Sequence, residues 1–169
     1  VDPSVKILFC GNYLSLDFSR LSFFSKFKSF ILSFLPSERR MNKAKIKMRN
    51  HPNAQYVGLS MDVSSMLRDS TFLINPFLIE HFSRPVIESF ANMRPVIATN
   101  VEGMDEVVEH NINGILINKD DPIALARAIN HLNANSDLIS EMGLNGYKKA
   151  KAMFSPNNVL EIERVYELL

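Results

Sequence analysis

Cysteine is nearly absent from this chain. Cys10 is the single one in 169 residues, which excludes an internal disulfide and fits a reducing compartment. Charge imbalance is also lacking: 19 basic residues stand against 18 acidic ones, so the overall balance points to no nucleic acid or other polyanionic partner. No apolar run is long enough for a membrane span, and no signal peptide is read. Internal repeats and low-complexity segments are missing. So is a Gly-x-Gly-x-x-Gly turn after the first apolar run, which argues against a dinucleotide oxidoreductase. The length suits one domain, taken as residues 1–169, and the apolar share of 46% is ordinary for a globular protein. The first residue is Val rather than Met, which suggests a piece of a longer chain.

What is present is an alternation of short apolar runs with helix-like stretches, the pattern of βαβ units and a parallel sheet. Strands are expected at Val5 to Cys10, Ala44 to Met48, Gln55 to Val57, Thr71 to Asn75, Pro95 to Thr99 and Gly114 to Ile117. Cys10, inside the first apolar run, is expected to be buried. Helices are expected between them, over Arg20 to Leu35, Val63 to Leu67, Pro85 to Asn92 and Met104 to Glu109. Three more are expected to follow, starting at Asp121-Pro122, Ser136 and Ser155-Pro156. The last of these carries Val159, Leu160, Ile162, Val165 and Leu169 at helical spacing. The whole predicts an α/β fold, a Rossmann-like doubly wound parallel sheet of about six strands. Ligands in such sheets bind beyond the carboxyl ends of the strands. The loops to watch are therefore Gly11 to Ser19, Phe77 to Arg84 and Asn100 to Gly103.

The second of these loops carries the chemistry. Glu80 lies in it and Glu88 on the helix that follows, with seven residues between them. The helix start at Ser83 and Pro85 falls in the interval. Unpaired N–H groups and the helix dipole make such a start a ready phosphate site. Carboxylates on either side accept hydrogen bonds from sugar and ribose hydroxyls.

Glu80-His81-Phe82-Ser83-Arg84 followed by Ile87-Glu88-Ser89-Phe90-Ala91 resembles the Glu-x-Phe-Gly-Arg…Ile-Glu-Ala-Met-Ala pattern of family 4 glycosyltransferases. The likeness continues through Arg94 to Thr99, Glu102-Gly103, Glu106 to Val108, Asn113 to Ile117 and Ala124 to Leu132. The resemblance implies one half of a GT-B fold, the donor-binding half, working opposite an N-terminal acceptor domain of the parent chain. It implies a nucleotide-diphosphate sugar as substrate, with no metal and no cofactor, and transfer of a hexosyl group with retention to a hydroxyl acceptor. By the same resemblance Glu80 is catalytic, contacting the transferred sugar, and Glu88 binds the ribose. Phe82, Ser83 and Arg84 form the loop that holds sugar hydroxyls and phosphate, and Gly103 faces the donor. Polysaccharide or glycolipid synthesis in the cytoplasm, at the inner face of a membrane, is the setting it suggests.

The chain departs from the family's pattern at three places. Ser83 and Met93 each stand where the family commonly has glycine. The basic pair expected after the first strand is replaced by Gly11, Asn12, Tyr13 and Leu14, with Asp17 in place of a lysine and Arg20 the nearest base. Gly11, Asn12 and Arg20 are therefore the candidates for the phosphate clamp. This departure keeps open a second reading, a non-catalytic nucleotide-sugar-binding or regulatory module. An epimerase shares the fold without the pattern around Glu80 and Glu88. Arg84 opposes the helix dipole, which an anionic ligand would explain, as would pairing with a neighbouring glutamate. His51, His81, His110 and His131 read as surface residues, and Asp120-Asp121 reads as a helix cap. The basic run Arg39, Arg40, Lys43, Lys45, Lys47 and Arg49 reads as a solvated face. Peripheral attachment to anionic lipid is its lesser alternative. Phe23, Phe24, Phe27, Phe30 and Phe34 have the spacing of a core-facing helix.

Overall fold

The computed structural model describes residues 2–10, 43, 46–58, 62–79 and 83–154. Its contacts divide the chain into two compact units, Asp2–Met61 and Asp62–Leu169.

In the first unit, strand β1 (Ile7–Cys10) pairs in parallel with β2 (Ala54–Gly58). The register slips between Phe9 and Cys10, where Cys10 comes opposite Gly58, a glycine with φ of 76°. Two sequence expectations are corrected here. Residues 46–49 are helical, not extended. Lys45, Lys47 and Arg49 alternate with apolar residues as in a strand, but straight-chain Lys, Arg and Met are also good helix formers, and a five-residue window cannot separate the two periods. Cys10 is on a strand but exposed. Exposure alternates along β1, with Ile7 and Phe9 half-buried and Leu8 and Cys10 facing out, so this strand buries one face only.

The second unit runs α1 (Val63–Arg68), β3 (Leu73–Asn75), α2 (Arg84–Ala91), β4 (Val96–Thr99), α3 (Met104–Val107), β5 (Gly114–Ile117), α4 (Pro122–Asn133) and α5 (Ser136–Met153). Strands β3, β4 and β5 form one parallel sheet in that order. The fold is α/β, and all strand pairing among the described residues is parallel, as the alternation of runs predicts. Five strands fall among the described residues, one fewer than the sequence suggested, because the lysine-rich segment is helical.

Strand β4 is central, and all four of its residues are buried. Its Val-Ile-Ala-Thr run suits a strand covered on both faces. Val96 and Ala98 meet Val86 and Phe90 of α2, Met104 and Val107 of α3, and Ala150 of α5 in the main core cluster.

Helix α5 lies unusually close to α2. A Cβ at Gly146 would overlap the ring of Phe90, and one at Gly143 would strike the Met93 carbonyl. Only glycine allows that approach. The far end of α2 closes in a Schellman turn: Met93 N–H donates to Phe90 O (2.9 Å) and Arg94 N–H to Ser89 O (2.9 Å). Met93 occupies the left-handed position of that turn, with φ of 55°. This explains in backbone terms why the family favours glycine there. Arg94 then turns its guanidinium to the carbonyls of Leu67 and Arg68, capping the carboxyl end of α1.

Asp121 caps α4 as expected, its carboxylate accepting from Ala124 N–H at 2.7 Å. For α5 the capping position is Asn135, one residue before the Ser136 suggested by the sequence. The predicted helix from Pro156 to Leu169 and the Phe-rich stretch both lie outside the described residues.

Candidate functional site

The carboxyl ends of β3, β4 and β5 open onto the loops that begin at Pro76, Asn100 and Asn118. Asn75 lies opposite Ala98 in the parallel register, so the loops after β3 and β4 leave the sheet side by side. The first leads into α2 and the second into α3. Ser83, Arg84 and Gly103, three of the residues singled out from the sequence, stand at these two helix starts. Glu88 follows one turn into α2.

Helix α2 begins where Ser83 and Pro85 predicted, but Ser83 does not cap it in the usual way. It occupies the capping position with φ −91° and ψ 104°, and its side chain makes no cap bond. The reason is local. Pro85, at the second helical position, has no N–H to offer. The Val86 N–H goes instead to the Ser83 carbonyl at 3.1 Å. The hydroxyl is left 1% exposed with no partner. The backbone at Ser83 is extended with a negative φ, so a serine sits where the family commonly has glycine without left-handed strain.

Asn75, at the last position of β3, is 4% exposed, and its Nδ2 likewise lacks a partner. Ser83 Oγ and Asn75 Nδ2 are the two buried side-chain atoms of this kind among the described residues. Both belong to the strand–loop–helix unit that carries the sequence motif.

Arg84 and Glu88 form an ion pair along α2, with Nε to Oε1 at 2.9 Å. The side chains are 88% and 33% exposed, respectively. An exposed pair of this spacing stabilises a helix by only about 0.3–0.5 kcal/mol. Its consequence is orientation: one oxygen of Glu88 is held by the guanidinium, and the carboxylate keeps further acceptor capacity for hydroxyl donors. Gly103 has φ of 82° at the start of α3, a left-handed conformation that L side chains avoid.

Glu80, Phe82, Gly11, Asn12 and Arg20 fall outside the described residues, as does His81. Of the sequence-predicted set, Ser83, Arg84 and Glu88 are brought together on one helix start, and Gly103 stands in the neighbouring loop. Reasoning from the sequence missed Asn75. The signal was a polar amide at the end of an apolar strand, where Thr71 to Ile74 would lead one to expect an aliphatic residue.

Elsewhere in this unit, a cleft of about 350 Å³ lies beside β5 and α4, lined by Leu116, Ile117, Asn118, Arg127 and His131. It contains none of the sequence-predicted residues and no orphaned polar atom. At its edge His110 Nδ1 accepts from Leu116 N–H at 3.0 Å, which occupies an outward donor of the edge strand. Among the described residues no three His, Cys, Asp or Glu side chains are grouped to hold a metal, and no helix is long and apolar enough to cross a membrane.

Residues 29–135, more than half of the chain, match the family of glycosyl transferases group 1. An uncharacterized glycosyltransferase of Methanocaldococcus jannaschii is 35% identical over 108 residues, which are 64% of this chain and 31% of that protein. The capsular polysaccharide biosynthesis glycosyltransferase CapM of Staphylococcus aureus is 27% identical over 141 residues, 82% of this chain and 37% of that one. The chain thus spans about a third of the length of these relatives. In fold it is similar to Anabaena HepE, solved in complex with UDP. The TM-score is 0.76 at 18% identity, over 99% of this chain and 42% of that one. It is also similar to sucrose-phosphate synthase from Thermosynechococcus elongatus, with a TM-score of 0.69 at 24% identity over 78% of this chain and 34% of that one. At these identities the likeness is one of fold, the Rossmann-like architecture of GT-B glycosyltransferases.

Proposed function

The chain belongs to the glycosyl transferases group 1 family, and from that premise we propose that it binds a nucleotide-diphosphate sugar and passes the hexosyl group, with retention, to a hydroxyl acceptor. In this reading residues 1–169 are the donor-binding half of a longer enzyme, and an N-terminal domain supplies the acceptor site and closure. The reaction needs neither a metal nor a cofactor. The setting is polysaccharide or glycolipid assembly on the cytoplasmic side of a membrane, with peripheral attachment. CapM's role in capsular polysaccharide and the UDP bound by HepE support that direction.

One observation carries the reading. Ser83, Arg84 and Glu88 of the family motif gather at a single helix start, on the carboxyl side of a parallel sheet. The chemistry follows from that placement. The amino end of α2 favours the diphosphate. Glu88 accepts from ribose hydroxyls, and Glu80 contacts the sugar at the reacting centre. As the bond between the anomeric carbon and the β-phosphate oxygen breaks, negative charge grows on the phosphate. Preorganised donors at the helix start lower the barrier by meeting that charge.

The test is calorimetry of the chain against UDP, ADP, GDP and their hexose conjugates. We expect one base series to bind and Glu88→Ala to weaken it about tenfold, the loss of a hydrogen-bonding carboxylate. Absence of binding by every member at millimolar concentration sinks the donor-site reading. A second reading, a module that binds the donor without turning it over, is favoured by the missing basic pair after Gly11, where Asn12, Tyr13 and Leu14 stand instead. Sugar transfer by the parent enzyme excludes it, whereas donor binding without transfer establishes it.

A further inference from the structure

The cleft of about 350 Å³ beside β5 and α4 shares no residue with the proposed donor site. We propose that it is a second binding site, for an acidic saccharide: a sugar ring that carries a carboxylate or phosphate. Such a site works independently of the nucleotide-sugar donor.

One wall is a stripe of α4. Ala124, Arg127, Ala128 and His131 recur at three- and four-residue steps, so they share one side of the helix. The two alanines withhold larger side chains from that side, and this leaves the space. The other wall is β5, an outer strand of its sheet among the described residues. Ile115, Ile117 and Ala128 are buried, so the floor is aliphatic. Arg127, His131, Asn111 and Asn118 are exposed and form the rim.

The rim narrows the ligand. Arg127 always carries a positive charge, and His131, one turn away, donates an N–H in either protonation state. Among the described residues no carboxylate lines the cleft. Asp121, just before α4, has its carboxylate turned to the Ala124 N–H at 2.7 Å. The side chains of Arg127, His131, Asn111 and Asn118 have no hydrogen-bonding or ionic partner among the described residues. An anionic oxygen completes the first two. The two carboxamides each donate and accept, which is what sugar hydroxyls need. The aliphatic floor suits the C–H face of a sugar ring. A volume near the lower end of the range for ligand clefts, about 300–1,000 Å³, favours a single ring. A simple carboxylate leaves the carboxamides unused, and a neutral sugar leaves Arg127 unanswered. An added peptide strand fits less well, because outward groups of β5 are already taken. The Leu116 N–H donates to His110 Nδ1 at 3.0 Å, and the Gly114 carbonyl accepts from the Asn111 N–H at 2.8 Å.

The test titrates the isotopically labelled chain with glucuronate, glucose and acetate, read by heteronuclear NMR. The Leu116, Asn118 and Ala128 amides should shift with glucuronate at millimolar concentration. Glucuronate should bind at least about fivefold more tightly than glucose or acetate, since the acidic sugar alone meets the whole rim. Added salt should weaken glucuronate and spare glucose, because the charged rim is exposed. Arg127→Gln, an exposed change, should weaken glucuronate about tenfold, as for loss of a hydrogen bond to a charged group. Ala124→Leu, which fills the cleft, should abolish the shifts. Galacturonate and its linear trimer separate two sources of the same chemistry: a tighter trimer means a residue within a glycan, and equal affinity means a free sugar acid. Absence of cleft shifts with glucuronate, an equal response to acetate, or indifference to Arg127→Gln overturns the site. Glucuronate that shifts the amides of α2 and not those of β5 and α4 overturns it too, and leaves the donor site standing.

Discussion

Replacing Gly146 by alanine sets two principles against each other. In an exposed helix interior, glycine to alanine stabilises by about 1 kcal/mol, because the backbone loses less entropy on folding. Gly146 is buried in the middle of α5, and a Cβ there would lie 2.9 Å from Phe90 Cε1 and Cγ, with Cδ1 closer still. Phe90 is 0% exposed within the core cluster that includes Val96, Ala98 and Val107, so its ring cannot swing clear without disturbing that packing. Overpacking of this kind costs about 1–3 kcal/mol. Set against the helix gain, the net should be a loss of about 1 kcal/mol, which lowers the unfolding temperature by roughly 4 °C. Urea titration should show the midpoint falling with the slope unchanged. A second arm tests the cause. In a Phe90→Leu background the same change should cost nothing or stabilise, a coupling of about 1 kcal/mol or more between contacting residues. Should Gly146→Ala prove as stable as the unaltered chain with Phe90 intact, the account of how α5 seats α2 is wrong. The result bears on function, because α2 carries Ser83, Arg84 and Glu88.

Met93 offers a change in the other direction. Its φ of 55° costs about 1 kcal/mol for a residue with a Cβ, and its side chain is 49% exposed. Met93→Gly should therefore raise stability by about 0.5 kcal/mol after allowing for the freer unfolded chain. A fall in the urea midpoint would show that the thioether contributes more packing than its exposure implies. Arg84→Met removes an exposed ion pair worth under about 0.5 kcal/mol together with a cation that opposes the dipole of α2. Thermal unfolding at low and high salt should place the variant within about 0.5 kcal/mol of the unaltered chain, and a loss above 1 kcal/mol would mean that Arg84 does more than the pair with Glu88.

Much of the second unit was legible in the residues because several signals agreed there. Val96 to Thr99 is β-branched and short, Asp121-Pro122 is both cap and first-turn residue, and Pro85 follows Ser83. Each observed element starts within one or two residues of these marks. Local chemistry failed where one signal stood alone. The lysine-rich stretch at 46–49 was ambiguous in period and proved helical. Cys10 looked buried because its neighbours are apolar, yet exposure alternates along its strand.

The linear sequence alone determined the order of strands and helices in the second unit from Val63 to Met153, the family pattern around Glu88, and the placing of Ser83 and Arg84 at a helix start. These follow from periodicity, caps and proline geometry, which act over a few residues. Only the tertiary structure decided that the Ser83 hydroxyl is buried without a partner, and that Gly146 must lack a side chain because Phe90 lies against it. Those outcomes depend on which surfaces come within a few ångströms of each other, and contacts between residues distant in the chain leave no mark in either one's immediate neighbours.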